Sequence, residues 1–187
     1  KRGIGGWMLM VVVLGFVGII LVNWRYMAQV HINNITVLNN PALVGESLEF
    51  QITFECFNKM PGVFEWKIIY IGSPNNSEFD QVIECFDMDN LDPGVMQFST
   101  ISSPPNFNKI PTEEIIGNSN NHVGTTAIII SAAYEKQEFF RCGYYVRNEY
   151  DESIIEPPTN IDFSLLKRYI LAENPRIFRF RSNGLNT

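Results

Sequence analysis

The side chains able to do covalent or metal chemistry are few and scattered. His31 and His122 are the only histidines, and Cys56, Cys85 and Cys142 the only cysteines. No two of them stand at a Cys-x-x-Cys or similar ligand spacing, and an odd cysteine count does not suit a secreted disulfide framework. They read as three reduced, mostly buried thiols and two surface or structural imidazoles. The chain carries no Gly-x-Ser-x-Gly elbow, phosphate loop, dinucleotide fingerprint or His-Glu-x-x-His pair. Without such a constellation no catalytic residue, metal or cofactor is expected.

The remaining chemistry is that of non-covalent grip. From Ile68 to Asn108 there is no lysine or arginine, while Glu78, Asp80, Glu84, Asp87, Asp89 and Asp92 all fall there. Such a stretch reads first as solvated acidic loops and an edge, and second as a docking surface for a basic protein. Near the end, RIFRFR places Arg176, Arg179 and Arg181 on a last strand. A terminal strand tends to lie at a sheet edge, where it can accept a strand from a partner. Tyr144 and Tyr145 could stack on a ligand, but neighbours in a strand point to opposite faces, so one of them belongs to the core.

The elements that must position these groups are mostly strands. Leu48–Cys56 alternates without a break, with Leu48, Phe50, Ile52, Phe54 and Cys56 on one face and Glu49, Gln51, Thr53 and Glu55 on the other. That is the pattern of a half-buried antiparallel strand. Val30–Val37, Phe64–Ile71, Gly94–Thr100, Ala127–Tyr134 and Glu138–Val146 are further candidates, rich in β-branched and aromatic residues. Turn clusters separate them, among them Asn39-Asn40-Pro41, Met60-Pro61-Gly62 and Asp92-Pro93-Gly94. Helices are minor: a turn over Thr112–Ile116, and Asp162–Ala172, where Phe163, Leu166, Ile170 and Leu171 fall near helical spacing. Asn118–His122 reads as a polar inserted loop. The pattern predicts an all-β sandwich of immunoglobulin-like type with short helices.

A net charge of −6 over 187 residues argues against a nucleic-acid binder. Residues 1–26 hold Lys1, Arg2 and Arg25 and no acid, so the acidity resides in the remainder. Gly3–Val22 is uncharged, about the length a helix needs to cross a bilayer. Trp24, Arg25 and Tyr26 follow it as interface residues do. It reads either as a signal anchor or as upstream sequence that is not native, with Met27 as the true start. The expected organisation is a hydrophobic leader over 1–26, one domain over 27–181 and a short tail over 182–187.

Six segments carry a resemblance: VLNNPALV (37–44), FQITFEC (50–56), EWKIIYIGS (65–73), FDQV (79–82), GYYVRNEYDE (143–152) and ILAENPRIFRF (170–180). In this order they resemble the anti-silencing-function family of histone H3–H4 chaperones, over nearly all of the chain from Met27 to Phe180. The resemblance implies an immunoglobulin-like sandwich without enzymatic activity. It would act in the nucleus, bind one H3–H4 dimer, cover the face through which that dimer pairs into a tetramer, and deliver histones for nucleosome assembly and disassembly. No direct contact with nucleic acid is implied, and contact with a membrane only through the leader. Since a nuclear chaperone has no evident use for a membrane helix, the resemblance favours Met27 as the start.

Carried onto this sequence, the histone H3 surface falls on Asp80, Glu114, Ala127, Ile129, Arg141, Tyr145 and Arg176. The histone H4 tail would add as a strand at Leu171, Pro175, Arg176, Ile177 and Phe178. The family usually has a valine where Ala127 stands, a loss worth about 1–2 kcal/mol of burial, and often an aspartate where Glu114 stands. It commonly carries an acidic pair, for docking downstream chaperones, at the positions of Gly62 and Val63. Neither residue is acidic here, so docking of other histone chaperones at this loop is not carried over with the rest.

A different class of protein also fits some of these residues: a membrane-anchored extracellular immunoglobulin-like module. Gly3–Val22 would be its anchor, Asn34-Ile35-Thr36 and Asn75-Asn76-Ser77 its glycosylation sequons, and Cys56–Cys142 its bridge. Phe140 stands where a tyrosine corner would need tyrosine, and Cys85 is left over.

Overall fold

The strict alternation of Leu48–Cys56 survives in three dimensions, every second residue being buried. The structure, a computed structural model, describes residues 29–117, 124–154, 158 and 160–180. The leader, the tail, His122 and most of the Asn118–Gly124 insertion lie outside the described residues.

Strand β3 (Leu48–Cys56) sits between β1 (Val30–Val37) and β6 (Gly94–Ser102) in a three-stranded sheet. The second sheet has the order β2-β9-β8-β7-β4-β5, with β10 paired to β8 off this path. Its strands are β2 (Ala42–Leu43), β4 (Met60–Ile71), β5 (Gln81–Leu91), β7 (Gly124–Tyr134), β8 (Gln137–Tyr150), β9 (Leu166–Ile170) and β10 (Arg176–Arg179). All pairings are antiparallel. The one α-helix among the described residues, α1 (Thr112–Ile116), packs on β7 and β8. The expected all-β sandwich with short helices is the architecture found.

The core lies between the sheets. Trp66 is buried among the rings of Phe54, Phe64 and Phe98 at 5.3–5.9 Å between centroids. Ile68, Tyr70, Ile128, Ile130, Cys142, Tyr144 and Val146 continue it along β4, β7 and β8. Each large apolar side chain buried in this way stabilises the fold by about 1.5–3 kcal/mol. Tyr144 is the core member of the tyrosine pair and Tyr145 the exposed one.

The expected helix over Asp162–Ala172 is not formed. Leu166–Ile170 is β9, with Leu166, Arg168 and Ile170 buried and Lys167 and Tyr169 turned outward. The Asp162 carboxylate accepts from the Ser164 amide and hydroxyl at 2.9 and 2.6 Å, a turn that leads into the strand rather than a helix cap. The acidic stretch also contains an unexpected strand. Cys85, Asp87 and Asp89 are exposed along β5, while Phe86 and Met88 lean on the core.

The three cysteines are free. Burial pushes the thiols of Cys56 and Cys142 above their ordinary value. No helix among the described residues is long and apolar enough to cross a membrane, and none of their His, Cys, Asp and Glu side chains form a group of three or more able to hold a metal ion.

Candidate functional site: an apolar groove on the outer sheet face and a free strand edge

Antiparallel pairing sets residues of neighbouring strands opposite one another on the same face. Across β4, β7 and β8 one rung reads Ile71, Ala127, Tyr145 and the next Ile69, Ile129, Gly143. The third reads Lys67, Ser131, Arg141. Strand β10 extends these rungs, placing Arg176 opposite Gly143 and Phe178 opposite Arg141. Residues two apart share a face, so all of these lie on the outer face of the large sheet. Tyr145 and Phe178 stand 50% and 53% exposed there.

Ala127, Ile129, Gly143, Tyr145, Arg176 and Phe178 together line an open groove of about 400 Å3. Ala127 offers only a methyl group and Gly143 no side chain, which makes the floor low; Tyr145 and Phe178 are the bulky neighbours. Val82 on β5, opposite Ile69, continues the apolar strip toward the other edge.

Acids stand at one corner of this face. Asp80 precedes β5, one residue before the Gln81–Tyr70 rung. Its Oδ1 is buried without a hydrogen-bond partner, and this burial raises its carboxyl above the ordinary 3.8. A desolvated, unpaired carboxylate oxygen is costly and is relieved by an incoming cation. Glu114, on α1, accepts a hydrogen bond from the Ser73 hydroxyl at 2.8 Å, just beyond the end of β4.

Bases stand on the opposite flank. Arg141 makes a two-pronged ion pair with Glu138 at 2.7 and 2.8 Å and lies 5.6 Å from the centre of the Phe180 ring. The Glu138 carboxylate raises its pKa further. Arg176 is exposed at the groove wall.

Strand β10 pairs with β8 alone, and all four of its residues are exposed. Its outer backbone edge has no strand beside it among the described residues. Ile177 faces away from the groove, into a second cleft of about 290 Å3 between the sheets that Pro175, Ile32 and Ile35 also line. Leu171 is exposed, with its amide donating to the Tyr145 carbonyl at 2.9 Å. Of the residues expected to hold one histone tail, then, Ile177 and Pro175 meet in the second cleft, whereas Arg176 and Phe178 line the groove.

The looped bulge of β4 at Pro61 and Gly62, before Val63, meets acid from its neighbours rather than from its own residues. Gly62 adopts φ +102°, and a Cβ there would collide with the Glu135 carboxylate. That carboxylate accepts from the Val63 amide at 2.9 Å, and Val63 pairs with Asp89. Acid therefore surrounds the loop through Glu135 and Asp89, not through Gly62 or Val63 themselves.

Sequence reasoning missed Ile69, Ile71, Val82 and Gly143 as parts of this face. The signal was present in WKIIYI and AIII, which are apolar on both faces of their strands. In an antiparallel sheet one face usually meets water, so apolar residues on both indicate an outer face awaiting a partner.

The family described as ASF1 like histone chaperone matches residues 27–183. Histone chaperone ASF1 of Coccidioides immitis is 40% identical over 156 residues, which cover 82% of this chain and 55% of that protein. Histone chaperone asf1b of Xenopus tropicalis is 40% identical over 159 residues, covering 84% and 76%. Histone chaperone asf1 of Drosophila melanogaster is likewise 40% identical over 159 residues, covering 84% and 70%. The chain spans about half the length of the fungal relatives it matches, 55% and 53% of them. The family is one of chaperones and not of enzymes. With most of the described fold matched, the chain belongs to the ASF1 like histone chaperone family.

Proposed function

We propose that this domain is a nuclear histone chaperone that binds one H3–H4 dimer, covers its tetramerisation face, and passes it on for nucleosome assembly and disassembly. The observation that carries this reading is the apolar groove on the outer sheet face, flanked by the unpartnered Asp80 oxygen and by the free edge of β10. A histone helix stripe would lie across Ala127 and Ile129, with Asp80 and Glu114 accepting from its lysine or arginine side chains. Arg141 and Arg176 would meet acids at the other end. The H4 tail would add as a strand beside β10, with Ile177 and Pro175 lining the cleft for its apolar anchor.

Docking of further chaperones through basic segments at the loop before Val63 would depend on Glu135 and Asp89 in place of an acidic pair at 62–63. The membrane-anchored reading receives no comparable support, since Cys56 and Cys142 are free and buried.

Residues 27–187, mixed with the histone pair at moderate salt, are expected to elute from gel filtration as a 1:1:1 complex. Failure to form it would sink the reading. Tyr145→Ala is expected to weaken the complex about tenfold or more, because a half-exposed aromatic at the centre of a docking face loses most of its contact area on truncation. Calorimetric titration showing an unchanged Kd would remove Tyr145 from the site.

A further inference from the structure

Resting on that reading, we infer that a β-bulge at Phe139 builds a clamp around Arg141, in which Glu138 and Phe180 are positioning residues that hold the guanidinium ready for a carboxylate of the docking histone pair.

In a regular strand, residues two apart share a face and residues three apart do not. Lys67 obeys this rule, since its ion-pair partner Glu65 lies two residues before it on β4. On β8 the same rule would set Phe139 beside Arg141 and turn Glu138 toward the core. The bulge reverses this. Ala132 stands opposite Phe140 and Ala133 opposite Glu138, so Phe139 is the extra residue. Phe139 and Phe140 are both buried, one after the other, and the centre of the Phe139 ring lies 5.3 Å from that of Phe64. A bulge re-aims the side chains beside it. Here it brings Glu138 onto the outer face, where both its oxygens accept from Arg141. It also recruits Phe180. The Phe139 carbonyl accepts from the Phe180 amide at 2.9 Å, which keeps the centre of the Phe180 ring 5.6 Å from the guanidinium carbon.

The clamp uses only part of the fork. Glu138 takes one N–H from Nε and one from Nη2. Nη1 has no hydrogen-bond partner among the described residues, and the Arg141 side chain is 40% exposed. An arginine held in this way has already given up much of its rotamer freedom, so a second carboxylate meets a fixed, planar donor edge. Arg141 shares its rung with Ser131 and Phe178, so this edge borders the docking face.

The test uses Glu138→Gln and Phe180→Leu, each alone and combined with Arg141→Ala, titrated calorimetrically against the H3–H4 dimer. Each single variant should raise Kd about fivefold and leave the thermal midpoint within a few degrees. Neither should raise it further when Arg141 is already alanine, because a positioning residue acts only through the side chain it positions. In the histone-free domain, the Arg141 Nε–H should give a resolved, slowly exchanging NMR signal near neutral pH that Glu138→Gln abolishes. Tighter binding by Glu138→Gln would show that Glu138 masks Arg141 and would overturn the inference. So would an unchanged Kd in both variants, an equal loss in the Arg141→Ala background, or an Arg141 signal indifferent to Glu138→Gln. Absence of binding by the unsubstituted protein would instead overturn the histone reading itself, and the Arg141 signal would still decide whether the clamp exists.

Discussion

Replacing Asp80 by arginine is expected to lower the affinity for an H3–H4 dimer by a hundredfold or more. Removing one partner of a desolvated, hydrogen-bonded charge pair costs about 2–5 kcal/mol, and each 1.4 kcal/mol is about tenfold in Kd. Reversal adds repulsion between the new guanidinium and the histone cation. Asp80→Asn keeps the shape and removes only the charge, so a smaller loss is expected. Titrations at two salt concentrations would check both, and Kd values for Asp80→Arg within threefold of the original would refute the assignment.

The same residue sets a pH dependence with a definite sign. Burial holds the free Asp80 carboxyl above 3.8, and a bound cation would pull it back down. Binding then releases a proton, so affinity should fall as the pH is lowered through the raised range toward 3.8. Asp80→Asn should lose that part of the dependence. In the histone-free domain the raised value acts the other way: the folded state holds its proton more tightly than the unfolded chain. Stability from this group is therefore present at low pH and lost as the pH rises through the raised value.

Arg168→Ala should produce the largest loss of stability, about 3 kcal/mol or more. Arg168 is 2% exposed and donates to the carbonyl oxygens of Leu43, Glu46 and Ser47, the last two at 2.9 and 2.6 Å. Burial lowers the pKa of its guanidinium, yet three carbonyls hold the charge in place. Truncation removes one donor from each, leaving the Leu43 oxygen only the Glu46 amide and the Ser47 oxygen only the Asn39 side chain, and loosens the turn between β2 and β3. Arg168→Met, which keeps much of the volume, should be nearly as destabilising, separating lost hydrogen bonds from lost packing. Urea denaturation would measure both, and a loss under 1 kcal/mol for each would show that water replaces the guanidinium freely. Arg168 lies on the inner side of β9, so histone affinity of the folded fraction should hardly change.

Arg168 also explains why β9 could not be read from its residues. With a charge at its middle inward position, Leu-Lys-Arg-Tyr-Ile hides its period of two, and Leu166 and Ile170 are left four apart, as in a helix. Strand β5 escaped for another reason. The pairing of β4 with β5 shifts register between Ile68 and Ile69, so Val82 faces outward while Phe86 leans inward, and the hydrophobic phase slips within one strand. Where no such conflict intervened the residues were sufficient: β3 by strict alternation, a core place for one of Tyr144 and Tyr145 by parity, and the short turn that became α1 over Thr112–Ile116. The site was half legible. Its polar members came from the resemblance, but the face that Phe178 occupies depends on which residue of β8 stands opposite it. Two adjacent apolar residues, Ile177 and Phe178, carry no sign of that.

The attachment of β10 has a mechanical consequence. Four residues hold it, to one neighbour, through the rungs from Arg176–Gly143 to Arg179–Phe140. A pull on the chain beyond Phe180 loads the Phe180 amide to Phe139 carbonyl bond first, then the Arg179–Phe140 rung and the others in turn, so the strand peels where a strand inside a sheet would have to shear. Peeling carries Arg176 and Phe178 out of the groove and leaves the paired core of β4, β7 and β8 untouched. Strand β10 is thus the element expected to yield first under such a load, before the paired core of β4, β7 and β8.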